Sequence, residues 1–354
     1  MKTKSILYQI FARTKLPSLA RHLKDPGLAM FMFHGLTDQG RVGMGNSNHL
    51  HIHVDHFADL CAWLKTHTQV LSLTEALTLI RSGKPLPKSS VVLTFDDGYA
   101  SNFHLAYPRL LEHHLPATIF VATDFVQNRA WLWPDRLEHA VQNSSLHCLK
   151  TTVGGIPTSF NLQSDENRRT CITGLTAIFK TIPQESLHGE LTKIETELET
   201  SLKTADHIPA IYEPLTWDQA REMVASGLIT IGAHTHQHLI LSRCQPATVR
   251  DELTTSNNLI TAALGTPPTL FAYPNGKLGD FNHSTHRTIE ASGYTCAVTT
   301  ETGFNRVNAE FDPFTLRRFG QPESIAHLEV LVSGMFPLLT KMARKTNSRA
   351  ALYS

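Results

Sequence analysis

The chain has too few cysteines, too widely spaced, for a disulfide framework. Cys61, Cys148, Cys171, Cys244 and Cys296 are odd in number and form no CxxC pair, which suits a reducing compartment and buried structural thiols. No run reaches the ~18 apolar residues of a membrane span. The N-terminus has cations but no apolar stretch of signal-peptide length before Pro17 and no small-x-small cleavage site, and "LAMFMF" at 28–33 is too short and too late. These absences lead us to expect a cytoplasmic protein. Net charge is also scarce, at +1, so nucleic acid is not an expected partner.

The charge that is present is unevenly placed. Lys2, Lys4, Arg13, Lys15, Arg21 and Lys24 open the chain with no acid among them, and Lys341, Arg344, Lys345 and Arg349 close it in the same way. Mixed with Ile6, Leu7, Ile10, Phe11, Leu16, Leu19 and Leu23, the first group could meet an anionic membrane surface peripherally. The expected organisation is a basic segment at 1–25, a main domain at 26–335 and a basic tail at 336–354. The sequence does not specify an oligomeric state.

With 354 residues and 41% hydrophobic content, the chain can bury a large core. "LAMFMF", "SVVLTF" (90–95), "ATIFVAT" (117–123), "LITIGA" (228–233), "TLFAY" (269–273), "TCAVTT" (295–300) and "FTLRRF" (314–319) read as strands. Helical patterns lie between them, at 57–67, 74–82 opening on Thr74, 100–114 around Pro108, 246–264, 283–292 and from Ser324, with a capping-box signal at Thr216 and Gln219. Such alternation predicts an α/β fold with a parallel sheet, and the length suits a barrel. Residues 127–213 break the alternation and read as a mainly helical insertion, with helices near 134–143 and 184–202.

Reactive side chains in such folds gather where strands end. His34, the Asp96-Asp97 pair, His234 and the Tyr273-Pro274-Asn275-Gly276 turn all stand at strand ends. His234 and His238 have the i, i+4 spacing that brings two imidazoles to one ion. Two histidines with one carboxylate leave open positions for water and substrate. Of the two aspartates, one can bind the ion while the other takes a proton from water, whose pKa zinc lowers to about 7.

"LTFDDGY" (93–99) and "HTHQH" (234–238), with "MFMFHGL", "PATIFV", "FAYPNG" and "LRRFG", resemble the polysaccharide deacetylase family of metal-dependent carbohydrate esterases, the NodB-homology family. The resemblance covers most of the chain outside the insertion. It implies a distorted (β/α) barrel and hydrolysis of an N-acetyl group on an amino sugar of a polysaccharide, oligosaccharide or glycolipid precursor. It makes Asp97, His234 and His238 ligands of a divalent ion, Zn²⁺ first with Co²⁺ or Ni²⁺ as alternatives. Asp96 becomes the general base and the Asn275 N–H an oxyanion donor. The chain departs from the family where Ala272 replaces an arginine that supports the base. It also has no clear late Leu-x-His motif, so Phe33-His34 makes His34 the candidate acid. Deformylation or deacylation of a small or lipid-linked amino sugar is an alternative, and a catalytically silent carbohydrate-binding relative is another.

Two further stretches invite a function. "WLWPDRLEHAV" (131–141) could present Trp131 and Trp133, with Asp135 and Arg136, as a sugar-stacking platform, or the tryptophans could seat the insertion on the barrel. "NHLHIHVDHF" (48–57) contains HxHxDH, the metal motif of the metallo-β-lactamase fold. Polar "GNSN" precedes it and a helical "FADLCAWL" follows, which is not that fold's context. We therefore expect His49, His51 and His53 on one face of a short strand and Asp55 at a helix N-cap.

Overall fold

The computed structural model describes residues 8–9, 14, 16–23, 27–39, 46, 49–200, 208–307 and 311–335. Most of the cationic terminal residues, including all four at the C-terminus, lie outside the described residues, and so does most of the expected membrane contact. Leu16 and Leu19, on the helix Leu16–Leu23, are about half exposed. Among the described residues no helix is long and apolar enough to cross a membrane.

Eight parallel strands make the main sheet: β1 (Ala29–Phe33), β2 (Gln69–Val70), β3 (Ser90–Phe95), β4 (Ala117–Val121), β5 (Ile229–Ala233), β6 (Leu270–Ala272), β7 (Cys296–Val298) and β8 (Phe319–Gly320). Their order is β7-β6-β5-β4-β3-β1-β8, with β2 beside the start of β3. The two edges are joined by one segment, since Leu316 bridges Val298 of β7 while Phe319 pairs with Phe31 of β1. "FTLRRF" thus closes a distorted barrel, with its last residue alone in the regular ladder of β8.

The sheet's faces follow the two-residue period of a strand. Met30, Val92, Phe120, Leu270, Val298 and Leu316 share one cluster with Leu73, Ala76 and Leu77 of the helix Leu73–Arg81. Phe31, Phe33, Leu93, Phe95, Ile119 and Ile231 belong to a second cluster with Phe57, Leu60 and Leu64 of the helix Val54–His67. Both faces are covered, which is why these strands read as continuous apolar runs.

Helix boundaries shift where side chains compete for the cap. The helix at 73–81 starts on Ser72, whose hydroxyl accepts from the Glu75 N–H, and not on Thr74. Thr216 and Gln219 form the expected capping box. Residues Asn102–Ala106 form a π-helical turn that runs into the helix Tyr107–His113. Pro108 falls in that helix's first turn, where its missing N–H costs least.

The insertion has a core of its own, built from Trp133, Leu137, Leu149, Val153, Ile172, Leu175, Phe179, Leu191 and Ile194. Its helices are Trp133–Asn143, Asp165–Phe179 and Leu187–Glu197. Between the first two lies an antiparallel hairpin, Cys148–Val153 with Ile156–Asn161, in a segment expected to be mainly helical, and Cys148 at its start is exposed, against the expectation of buried thiols. Gly154 and Gly155, both at positive φ (57° and 80°), make its two-residue turn.

Candidate metal centre

Asp96 and Asp97 follow β3, and His234 follows β5. The strands' hydrogen bonding extends to these residues, with Asp96 N–H donating to Phe33 O (2.9 Å) and His234 N–H to Val121 O (2.9 Å). The backbone then turns into a region that few non-glycine residues adopt. Positive φ occurs at Asp97 (77°), Thr235 (65°), His238 (58°) and Asn275 (60°). Gly98 continues the turn at φ +91°, and a Cβ there would meet Val121 Cγ1 at 3.0 Å. The glycine of "DDG" therefore meets both a conformational and a steric requirement.

This turning brings Asp97, His234 and His238 together as expected, with one ligand atom from each lying within 4.8 Å of the others. Asp97 Oδ1 is 3.5 Å from His234 Nε2 and 3.3 Å from His238 Nε2. His234 Nδ1 lies 2.8 Å from Ala272 O, so the carbonyl accepts and Nδ1 carries the proton, leaving Nε2 as a bare lone pair. Burial lowers the pKa of both imidazoles, that of His238 most strongly. Burial raises the Asp97 carboxyl well above the carboxylate range, and the charges of Asp96 and Asp135 add to the effect. Asp97 Oδ1 is buried with no hydrogen-bond partner among the described residues. Lone pairs converging on an unsatisfied buried carboxylate oxygen suit a divalent cation.

Asp96 is held differently. Arg318 donates to both its oxygens, from Nη1 to Oδ1 and Nη2 to Oδ2, each at 2.7 Å. Burial alone would raise the Asp96 carboxyl, but the Arg318 guanidinium, with His234, brings it down to about 2. Arg318 is itself buried and fixed by Thr299 O and Thr94 Oγ1. The arginine that Ala272 replaces is therefore supplied by the barrel-closing segment. An arginine inside the apolar "FTLRRF" was the available sequence signal.

His34 lies at the end of β1, its carbonyl accepting from Asn102 Nδ2 (2.6 Å). Burial holds its imidazole at about 4, with Arg318 and His234 acting in the same direction and Asp96 against them. Asn275 belongs to the turn after β6, where its carbonyl accepts from Thr300 Oγ1 and its amide side chain donates to Asp280. Among the described residues its backbone N–H has no acceptor.

Three supporting residues were not anticipated in these roles. Glu252 Oε2 accepts from the His236 and Gln237 N–H groups, both at 2.8 Å, and so pins the loop between His234 and His238. Tyr99 donates to Asp135 (2.9 Å), tying the aspartate loop to the insertion. His51 packs on Tyr99 at a centroid distance of 4.7 Å.

Among the described residues, the histidine-rich stretch forms no cluster that could hold a metal ion. The strand there is only Ile52–His53, His49 is in the left-handed region at φ 54°, and the helix N-cap is His53, accepting from Asp55 N–H. The expectations of a three-histidine strand face and an Asp55 cap are both corrected: the chain turns at His49, and Asp55 lies inside the first helical turn, where its own N–H is one of the free amides and is capped by His53. The two tryptophans also separate, since Trp133 is buried in the insertion's core while Trp131 is only partly buried.

The model of the family described as polysaccharide deacetylase matches residues 83–152 and 182–297, more than half of the chain. The Bacillus subtilis (strain 168) protein YxkH is 24% identical over 281 residues, covering 79% of this chain and 67% of that protein. The Escherichia coli (strain K12) poly-beta-1,6-N-acetyl-D-glucosamine N-deacetylase is 30% identical over 92 residues, 26% of this chain and only 13% of that enzyme. In structure, the chain is similar to the Streptococcus pyogenes deacetylase PplD in complex with acetate (TM-score 0.56, 17% identity, 88% of this chain and 99% of that one). It is equally similar to IcaB from Ammonifex degensii (TM-score 0.55, 18% identity, 88% and 98%). At these identities the structural likenesses speak for the barrel.

Proposed function

The chain belongs to the polysaccharide deacetylase family, and from that premise we propose that it is a divalent-metal-dependent hydrolase of N-acetyl groups on an amino-sugar glycan. The observation that carries this reading is the convergence of Asp97, His234 and His238 beside an arginine-held Asp96. The E. coli relative acts, by its name, on poly-beta-1,6-N-acetyl-D-glucosamine, which supports an N-acetylglucosamine polymer or precursor as the substrate class.

Asp97 Oδ1 and the Nε2 atoms of His234 and His238 would hold the ion, with zinc the first choice for this donor set. When bound, such an ion polarises an acyl carbonyl and acidifies a water molecule. The chain's own groups do the rest. Asp96, ionised at neutral pH because of Arg318, accepts the proton of the attacking water. As the water oxygen bonds to the acyl carbon, negative charge moves to the carbonyl oxygen, and the Asn275 N–H donates to it. The C–N bond then breaks, the sugar amine leaves with a proton, and acetate remains. His34 starts neutral, so it can serve as the acid once the proton taken by Asp96 has passed to it.

Acetate release from N-acetylglucosamine oligomers by the zinc-loaded enzyme, with a chelator control, tests this reading. Asp96→Asn is expected to keep its metal and lose turnover by about 10²–10⁴-fold; full activity of that variant would overturn the assignment. Contact of the cationic termini with an anionic membrane surface is a separate proposal, tested by co-sedimentation with anionic vesicles at low salt.

A further inference from the structure

A cavity opens beside the loop between His234 and His238. It has a volume of about 620 Å³, within the range of small-ligand sites. One part of its lining is the turn after β4, where the Asp124 N–H donates to His236 O (2.9 Å) and the Thr123 N–H to Thr235 O (3.2 Å). Another part comes from the insertion, through Arg136 and His188, and Trp131 completes it. His236 and Gln237 also line it, and they sit between the ligands His234 and His238 in the chain.

We propose that this cavity is a glycan subsite that binds a neutral sugar unit next to the N-acetylated unit being hydrolysed, with Trp131 as its stacking face and His188 and Gln237 as hydrogen-bonding groups. The inference rests on the deacetylase reading and deepens it, because it makes an oligomer the substrate: only a chain of sugars reaches the metal centre and the cavity together.

Three observations support it. Trp131 is held by Tyr212 (centroids 5.1 Å apart) and His139 (5.2 Å) yet stays partly exposed. A rigid aromatic face of this kind offers large contact area at little entropic cost. His188 Nε2 is shielded from solvent and has no hydrogen-bond partner among the described residues, a state that a ligand hydroxyl or acetamide would relieve. The lining's cations are also already matched. Arg136 donates to both oxygens of Glu195 (2.9 and 2.7 Å), and Arg129 pairs with Glu213 (3.4 Å). The Asp124 carboxylate is engaged as well, accepting from Asn128 Nδ2 (2.6 Å) with His236 Nε2 3.8 Å away. Such a lining does not attract a phosphate or a polyanion, whereas a neutral sugar meets no electrostatic penalty there.

The test compares Trp131→Ala and His188→Ala with wild type on monomeric N-acetylglucosamine and on its oligomers. For Trp131→Ala, KM for the oligomer is expected to rise about ten-fold with kcat little changed, monomer kinetics to be unaltered, and Trp131→Phe to recover most of the loss. An equal fall on monomer and oligomer, or no change on either, would overturn the subsite. Calorimetric titration of oligomer into Asp96→Asn protein, with and without Trp131→Ala, reads the cavity without turnover. Binding that is weakened by the tryptophan change supports the subsite even if the wild type releases no acetate, an outcome that would sink the deacetylase reading alone. Absence of oligomer binding, or binding indifferent to Trp131, would sink the subsite.

Discussion

Residues 49–56 hold four histidines and an aspartate in one short stretch, whereas the candidate metal centre draws Asp97, His234 and His238 from two separate strand ends. The crowded stretch disperses and the scattered set converges. In the first, each histidine is used by its own surroundings. His49 gives its carbonyl to Gln321, His51 packs on Gly35 and Tyr99, His53 caps a helix, and His56 Nε2 lies 2.9 Å from Pro322 O. In the second, parallel strands β3 and β5 flank β4 and deliver their ends to one side of the sheet. Strand-end topology, and not local density of imidazole, decides where a metal can sit.

Breaking the converging set is expected to have the largest effect. Asp97→Ala, His234→Ala and His238→Ala should each weaken metal binding on the order of 100-fold or more, while His49→Ala, His53→Ala and His56→Ala retain the metal. Metal content after dialysis measures the contrast; equal retention in both groups would erase it.

Arg318 gives the next largest effect. Arg318→Met leaves a buried carboxylate unpaired, with an expected stability loss of about 3–5 kcal/mol by denaturant melt. Because the guanidinium holds Asp96 at about 2, below its unfolded value, the pair's stabilisation is present above the unfolded pKa and is lost as pH falls towards 2. Without Arg318 burial dominates and raises the Asp96 carboxyl, so the sign reverses: stability falls as pH rises above the unfolded value, and the acid limb of the rate profile moves up. Arg318→Lys is expected to fall between the two, since a point charge cannot make the bidentate contact.

The smallest effect lies where the two regions touch, through His51, Tyr99 and Asp135. Burial raises the Asp135 carboxyl to about 8, against the Tyr99 hydrogen bond and with the Glu138 charge. Between about pH 4, the unfolded value, and pH 8 the folded chain holds more protons than the unfolded one, so stability falls as pH rises. Asp135→Asn keeps an acceptor for Tyr99 and is expected to flatten that decline by about 2–4 °C in Tm. An unchanged slope would remove Asp135 as its source.

The barrel was legible because its strands are buried on both faces and read as apolar runs, and "DDG" and "HTHQH" stood at their ends. The hairpin at 148–161 was missed although Gly154-Gly155 marked its turn, because its strands are polar on the exposed side and resemble loop. Arg318 was missed as a partner because its link to Asp96 exists only once the barrel closes. The same holds for the cavity at Trp131, whose sides come from the barrel and from the insertion. Local chemistry can be read from the chain, but contacts between distant segments become visible when the sheet is built.

Anomalous diffraction at the zinc edge, from crystals of the zinc-loaded protein, tests the central claim most directly. One strong peak is expected between Asp97 Oδ1, His234 Nε2 and His238 Nε2. A peak among His49, His51, His53 and His56, with none at Asp97, would contradict it.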